Sequence, residues 1–154
     1  MDNKKRLFLI DAYALIFRGY YAFIKNPRIN SKGLDTSAIL GFTNSLFDVI
    51  KRERPEYIAV CFDKGGSHDR IEIFPEYKAN RDETPEAIKI AVPYIQEILN
   101  ALGICIMVKE GYEADDIIGT LAKKAKEENF ETYMVSPDKD FAQLVNEKTF
   151  IYKP

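Results

Sequence analysis

The chain has 154 residues, 46% of them hydrophobic and 30% charged, and a formal net charge of −2. That composition describes one globular domain long enough to bury a core. It excludes a domain that holds nucleic acid by bulk positive charge, and no run approaches the roughly 18 apolar residues of a membrane span. Met1-Asp2-Asn3-Lys4-Lys5-Arg6 leads into a short apolar run and not into a signal-peptide core, so a cytoplasmic location is expected. Cys61 and Cys105 both sit in apolar runs and are expected to be small buried residues kept reduced; no Cys-x-x-Cys occurs and His68 is the only histidine. Neither a disulfide nor a zinc site is therefore expected.

In chain order, Leu7–Asp11 reads as a first strand and Tyr20–Asp35 as a long irregular segment. Thr36–Arg52 has Ile39, Leu40, Leu46, Phe47 and Ile50 at helical spacing and stops before Pro55. Tyr57–Asp63 is a second strand, followed by a second long irregular segment, Lys64–Glu83. Thr84-Pro85 predicts an N-cap and a proline at the first helical position. The helix they open runs to about Leu102, with Gly103 as its stop signal, and Pro93 inside it predicts a kink or break. Ile104–Val108 is a third strand, about Glu113–Asn129 a helix, Glu131–Ser136 a fourth strand and Thr149–Tyr152 a fifth. The alternation predicts an α/β fold: a mainly parallel central sheet of about five strands with helices on both faces. No internal repeat, low-complexity tract or linker is present.

The acids cluster in this scheme. Asp11 and Asp63 end the first two strands, Glu113, Asp115 and Asp116 open the last helix, and Asp138 and Asp140 follow the fourth strand. An open parallel sheet aligns the carboxyl ends of its strands along one edge, where such folds bind ligands. Seven carboxylates from four stretches are thus expected on one rim, with Glu113 and Asp116 sharing a helix face and Asp115 pointing about 100° away from Asp116. So many like charges need positive compensation, and hard divalent cations with oxygen ligands, Mg²⁺ or Mn²⁺, supply it. Two such ions about 4 Å apart serve phosphodiester hydrolysis. Taken singly, each acid also fits a helix cap or a strand-terminating turn. The two long segments carry Tyr20, Tyr21, Lys25 and Arg28, then Lys64, Arg70, Tyr77, Lys78 and Arg81, a basic and aromatic mixture suited to function.

The runs Leu9-Ile10-Asp11-Ala12-Tyr13, Phe62-Asp63-Lys64-Gly65-Gly66, Tyr77-Lys78-Ala79-Asn80-Arg81, Gly111-Tyr112-Glu113-Ala114-Asp115-Asp116-Ile117-Ile118-Gly119-Thr120 and Ser136-Pro137-Asp138-Lys139-Asp140 resemble the 5′–3′ exonuclease domain of bacterial DNA polymerase I. More broadly they resemble the flap endonuclease superfamily and its PIN-like fold. The resemblance implies a metal-dependent nuclease of DNA replication and repair that acts on 5′ ends, flaps and nicked duplex. It implies metal-ligand roles for Asp11, Asp63, Glu113, Asp115, Asp116, Asp138 and Asp140. By the same resemblance Lys78 and Arg18 meet the scissile phosphate, Tyr77 stacks on a base and Arg81 contacts phosphate. Arg70 and Lys25 are further candidate DNA contacts. Ser67, His68 and Tyr112 read as loop or packing residues.

The family continues beyond the last matched motif with two more metal-binding aspartates and a helix-hairpin-helix element. Residues 1–154 are therefore expected to form the N-terminal subdomain, with the second ion's ligands incomplete, the polymerase domains absent and weak activity in isolation. Two other functions share the acidic rim: a PIN-type ribonuclease, and a DNA-docking subdomain without activity. A phosphoryl-accepting receiver domain fits less well, because the first strand ends in one Asp and not in an acidic pair.

Overall fold

A computed structural model describes residues 5–63, 84–137 and 139–154, the side chains of Lys139 and Asp140 excepted. Strand β1 (Lys5–Asp11) runs directly into helix α1 (Ala12–Ala22), and α2 (Ser37–Glu53) leads to β2 (Tyr57–Phe62). Helix α3 (Glu86–Ala101) precedes β3 (Cys105–Val108), α4 (Ala114–Glu127) precedes β4 (Phe130–Val135), and a 3₁₀ helix (Lys139–Leu144) precedes β5 (Thr149–Tyr152). All the strand pairs are parallel, in the order β3-β2-β1-β4-β5. This is the α/β architecture that the sequence predicts.

Strand alternation distributes the apolar residues to two cores. Phe8, Ile10, Val60, Phe62 and Val135 face α1, α2 and α3, where they meet Leu15, Phe42, Leu46, Ile88 and Ile95. Leu9, Ala59, Cys61 and Met134 face the other way, against Ile117 and Ile118 of α4 and Phe141 of the 3₁₀ helix. Because both faces are covered, the central strands are apolar in succession instead of alternating. No described helix is long and apolar enough to cross a membrane.

Four local expectations need correction. Helix α1 was not predicted as an element; its sequence, AYALIFRGYYA, is apolar almost all round and so lacks a two-sided pattern. It crosses α2 at Gly19 and Gly41, where a Cβ on Gly19 would lie 2.8 Å from the Gly41 Cα, so the crossing needs a glycine there. The segment Tyr20–Asp35 begins inside α1 and then closes as an ordered turn. The Asn30 carboxamide oxygen accepts from Lys32 N–H (2.9 Å) and Leu34 N–H (3.0 Å), and Ile29 bridges Asp35. At α3, Pro85 and not Thr84 occupies the N-cap, with its carbonyl accepting from Ile88 N–H at 3.0 Å. Finally, α3 runs without a break through Pro93, which is exposed, so the missing N–H falls on the solvent side.

The predicted stop at Gly103 is present, with φ +73°. Ile104 N–H bonds to the Leu99 carbonyl (2.9 Å) and Gly103 N–H to that of Asn100 (3.1 Å), the paired bonds of a Schellman cap. The segment Lys64–Glu83 lies outside the described residues.

Candidate metal centre

The strand order reverses between β1 and β4, the place where open α/β sheets leave a crevice at the strands' carboxyl ends. Asp11 ends β1 on one side of that reversal and Ser136 follows β4 on the other. The Ser136 hydroxyl, fully buried, donates to Asp11 Oδ2 at 3.3 Å. Asp11 is also the N-cap of α1, its Oδ1 accepting from Ala14 N–H at 3.5 Å. One carboxylate is thus oriented from two elements.

Asp63 stands just past β2, two residues beyond Cys61, the register partner of Asp11. Its Oδ1 accepts from the backbone N–H of Ala114, the first residue of α4. This bond ties the end of β2 to the start of the acidic helix across 51 residues of chain.

At that helix start Glu113 is the N-cap and is only 4% exposed. It forms a capping box with Asp116, whose Oδ2 accepts from Glu113 N–H at 3.2 Å. Asp115 Oδ1 accepts from Asp116 N–H at 2.9 Å. Carboxylate oxygens of Glu113, Asp115 and Asp116 all lie within 4.8 Å of one another. The helical-wheel expectation that Asp115 points away from Asp116 is therefore corrected. In the first helical turn side chains lean back toward the N-terminus, and local bonds to freed N–H groups draw all three together.

The donor set fits a hard divalent cation: carboxylate oxygens alone, close enough to share an ion, and already oriented by hydrogen bonds. The thiol of Cys61, beneath the rim, registers the acids nearby. Burial, and after it the charges of Asp11, Cys105 and Asp63, pushes it up to about 12. Cys61 is thus a buried, unreactive thiol, as its apolar run suggested, whereas Cys105, expected buried by the same reasoning, is exposed at the start of β3.

Among the other expected site residues, Arg18 is exposed on α1, seven residues past Asp11 and so about 10 Å further along the helix. Its guanidinium donates to the carbonyl of Pro154, beyond β5. Lys25 is exposed in the turn after α1. Asp138, Arg70, Tyr77, Lys78, Arg81 and the side chain of Asp140 lie outside the described residues. Ser136 was not singled out from the sequence, although its position directly after a strand, like that of Asp63, was the available signal.

Comparison with known proteins identifies the family of the chain. The family described as 5′-3′ exonuclease, N-terminal resolvase-like domain matches residues 6–154. A 5′-3′ exonuclease of Aquifex aeolicus is 40% identical over 150 residues, covering 97% of this chain and 51% of its own length. DNA polymerase I of Treponema pallidum is 44% identical over 145 residues, covering 94% of this chain and 14% of its own length. The Bacillus subtilis DNA polymerase I is 40% identical over 152 residues, 98% and 17% respectively. The chain thus spans about half of the first of these relatives and a much smaller share of the polymerases.

Among solved structures, the bacteriophage T5 5′-exonuclease with bound zinc superposes with a TM-score of 0.68 at 24% identity, over 96% of this chain and 55% of its own. The T5 flap endonuclease in a pseudo-enzyme-product complex with DNA and metal ions gives 0.63 at 23%, over 96% and 54%. These likenesses establish the fold. With a profile matched over nearly its whole length and relatives at about 40% identity, the chain belongs to the family of 5′-3′ exonuclease N-terminal, resolvase-like domains.

Proposed function

We propose that this chain carries the metal-binding part of a 5′–3′ exonuclease and flap endonuclease that hydrolyses DNA phosphodiester bonds, the activity housed in DNA polymerase I. Residues 1–154 are read as the N-terminal subdomain of that nuclease, in keeping with their match to about half of the Aquifex exonuclease. One observation carries the reading: Glu113, Asp115 and Asp116 gather carboxylate oxygens within 4.8 Å of one another at the start of one helix, with the strand-end acid Asp63 bonded to Ala114 beside them and Asp11, oriented by Ser136 and Ala14, on the same sheet edge. The T5 relatives with zinc, or with DNA and metal ions, support a divalent cation here and DNA as the substrate.

Glu113, Asp115, Asp116, Asp11 and Asp63, with Asp138 and Asp140, are the proposed ligands of Mg²⁺ or Mn²⁺. Bound at such a rim, a pair of these ions supplies an activated water and stabilises the leaving oxygen. The protein's own contribution is orientation. Asp63 is fixed by the Ala114 N–H and Asp11 by Ser136, so the two strand-end carboxylates keep their directions before any ion arrives. Lys78 and Arg18 are assigned to the charge that develops on the scissile phosphate. Tyr77 is assigned to stacking, and Arg81, Arg70 and Lys25 to backbone phosphates.

The test is single-turnover cleavage of a labelled 5′-flap DNA in Mg²⁺ or Mn²⁺, with a matched single-stranded RNA as the competing substrate. Metal-dependent cleavage of the DNA flap is expected, weak for residues 1–154 alone and strong for a chain extended through the rest of the nuclease; preferential cleavage of the RNA would instead support a PIN-type ribonuclease. In a chain extended through the rest of the nuclease, Lys78→Ala should slow DNA cleavage by about two to three orders of magnitude while changing affinity in Ca²⁺ little, because its charge acts chiefly in the transition state.

A further inference from the structure

We infer that the crevice between α1, α3 and the ends of β2 and β3 is a base pocket that holds a nucleobase adjoining the scissile phosphate. The inference rests on the nuclease reading and adds to it a subsite made by residues outside the acidic rim. The crevice, open to solvent, has about 460 Å³ and is lined by Tyr13, Phe62, Ile106, Val108, Gln96 and Asn100, with Asp63 where it meets the rim. That volume lies in the range of about 300–1,000 Å³ that small-molecule sites occupy.

The lining has the chemistry of a nucleobase. A base presents a flat apolar face and an edge of donors and acceptors. Phe62 and Ile106 give the crevice apolar walls, and Tyr13 adds an aromatic ring seated edge-on against Phe62, with ring centres 6.0 Å apart and planes at 84°. Gln96 and Asn100 are four residues apart on α3 and so share a face of that helix. Gln96 is half-buried and Asn100 exposed. Each carboxamide offers both a donor and an acceptor, and turning it by half a revolution exchanges them. Such a pair accepts any base edge, as an enzyme that degrades DNA of every sequence requires.

Position selects the ligand further. Asp63 lines this crevice and also bonds to Ala114 beside Glu113, so crevice and rim share a wall. A nucleotide with its phosphate at the rim carries its base one sugar away, at the distance of an adjoining pocket. The opposite flank offers a different chemistry. There a cleft of about 210 Å³ borders Asp116, with Lys109 and Lys124 beside Met107, Leu121, Tyr112 and Thr120, and no carboxamide among the described residues lines it. Its two lysines suit a phosphate, and at about 210 Å³ it is less than half the volume of the first crevice.

The experiment follows the side-chain amide signals of Gln96 and Asn100 by NMR in the ¹⁵N-labelled chain with Ca²⁺. The probes are thymidine 5′-monophosphate, deoxyadenosine 5′-monophosphate and the abasic 2-deoxyribose 5-phosphate. Both nucleotides should shift those signals and the abasic sugar phosphate should not. The double variant Gln96→Leu, Asn100→Leu should weaken nucleotide binding about tenfold, the loss expected of two amide hydrogen bonds, with calorimetric Mn²⁺ binding unchanged. The inference is overturned by equal shifts from the abasic compound, by shifts confined to Lys109 and Lys124, by no shift at all, or by unchanged affinity in the variant. Nucleotide shifts at Gln96 and Asn100 in a chain that binds no Mn²⁺ would support the pocket and remove the metal reading instead.

Discussion

At the amino ends of the strands, Arg6 donates to Glu56 (3.2 Å) and Glu53 (3.5 Å) and also to the backbone carbonyls of Glu53 and Arg54, while Lys5 sits 5.6 Å from the centre of the Phe130 ring. At the carboxyl ends of the same strands, Asp11 is held by a hydroxyl and an N–H, Asp63 by an N–H, and Asp116 by the N–H of Glu113. A guanidinium both directs a carboxylate and offsets its charge, whereas a hydroxyl or backbone N–H contributes direction. The first edge is built for cohesion. At the second, hydroxyl and N–H donors orient carboxylates, the kind of support that metal-ligating acids receive.

That contrast breaks most sharply at the acidic helix start. Glu113→Gln combined with Asp115→Asn should abolish calorimetric Mn²⁺ binding, and with it the rise in unfolding temperature that Mn²⁺ gives the unaltered chain. Retained binding would mean that the ion is held elsewhere. Ser136→Ala should lower Mn²⁺ affinity about tenfold, since Asp11 loses its orienting hydroxyl but keeps its charge. An unchanged binding isotherm would make Ser136 a packing residue only.

The opposite edge should respond in stability and not in metal affinity. Arg6→Ala should cost about 1 kcal/mol in urea unfolding, since its ion pairs are partly exposed and its carbonyl bonds are lost as well, and Mn²⁺ affinity should not move. The smallest effect is in pH. A backbone hydrogen bond lowers the Glu56 carboxyl most, desolvation opposes it, and the Arg6 charge lowers it further. A carboxyl with a depressed folded-state pKa adds stability above its ordinary value of 4.5 and loses it as pH falls through the depressed value. Unfolding midpoints measured on either side of 4.5 should therefore converge for Arg6→Ala and the unaltered chain toward the acid end. A constant gap at every pH would show that the carbonyl bonds carry the whole effect.

Strands were legible because their apolar runs are short and bounded: the fifth was read as Thr149–Tyr152 and is found there, and the fourth differs by one residue at each end. Helix α3 was legible at its end, where Gly103 takes the positive φ that stops it, and less so at its start, where Thr84-Pro85 fits either of two cap registers. Helix α1 was not legible, since a helix buried against both the sheet and α2 shows no polar stripe to count. In the same way Asn30 looks like any loop residue until Lys32 and Leu34 turn their N–H groups toward it.

By itself the sequence determined the class of fold and where its acids gather: strand and helix alternate at the pitch of a parallel sheet, and acids follow the strands where such a sheet exposes its carboxyl edge. Those features are local, carried by residue type and spacing within a few positions. Tertiary structure decided how the acids meet. Ser136 reaches Asp11 across 125 residues and Asp63 reaches Ala114 across 51, and no spacing rule spans such separations. It also decided that α1 and α2 could touch backbone to backbone at Gly19 and Gly41, and that Asp115 joins Glu113 and Asp116 and does not point away. Directions of side chains are set by the donors folding brings within reach, and those donors come from other strands and helices.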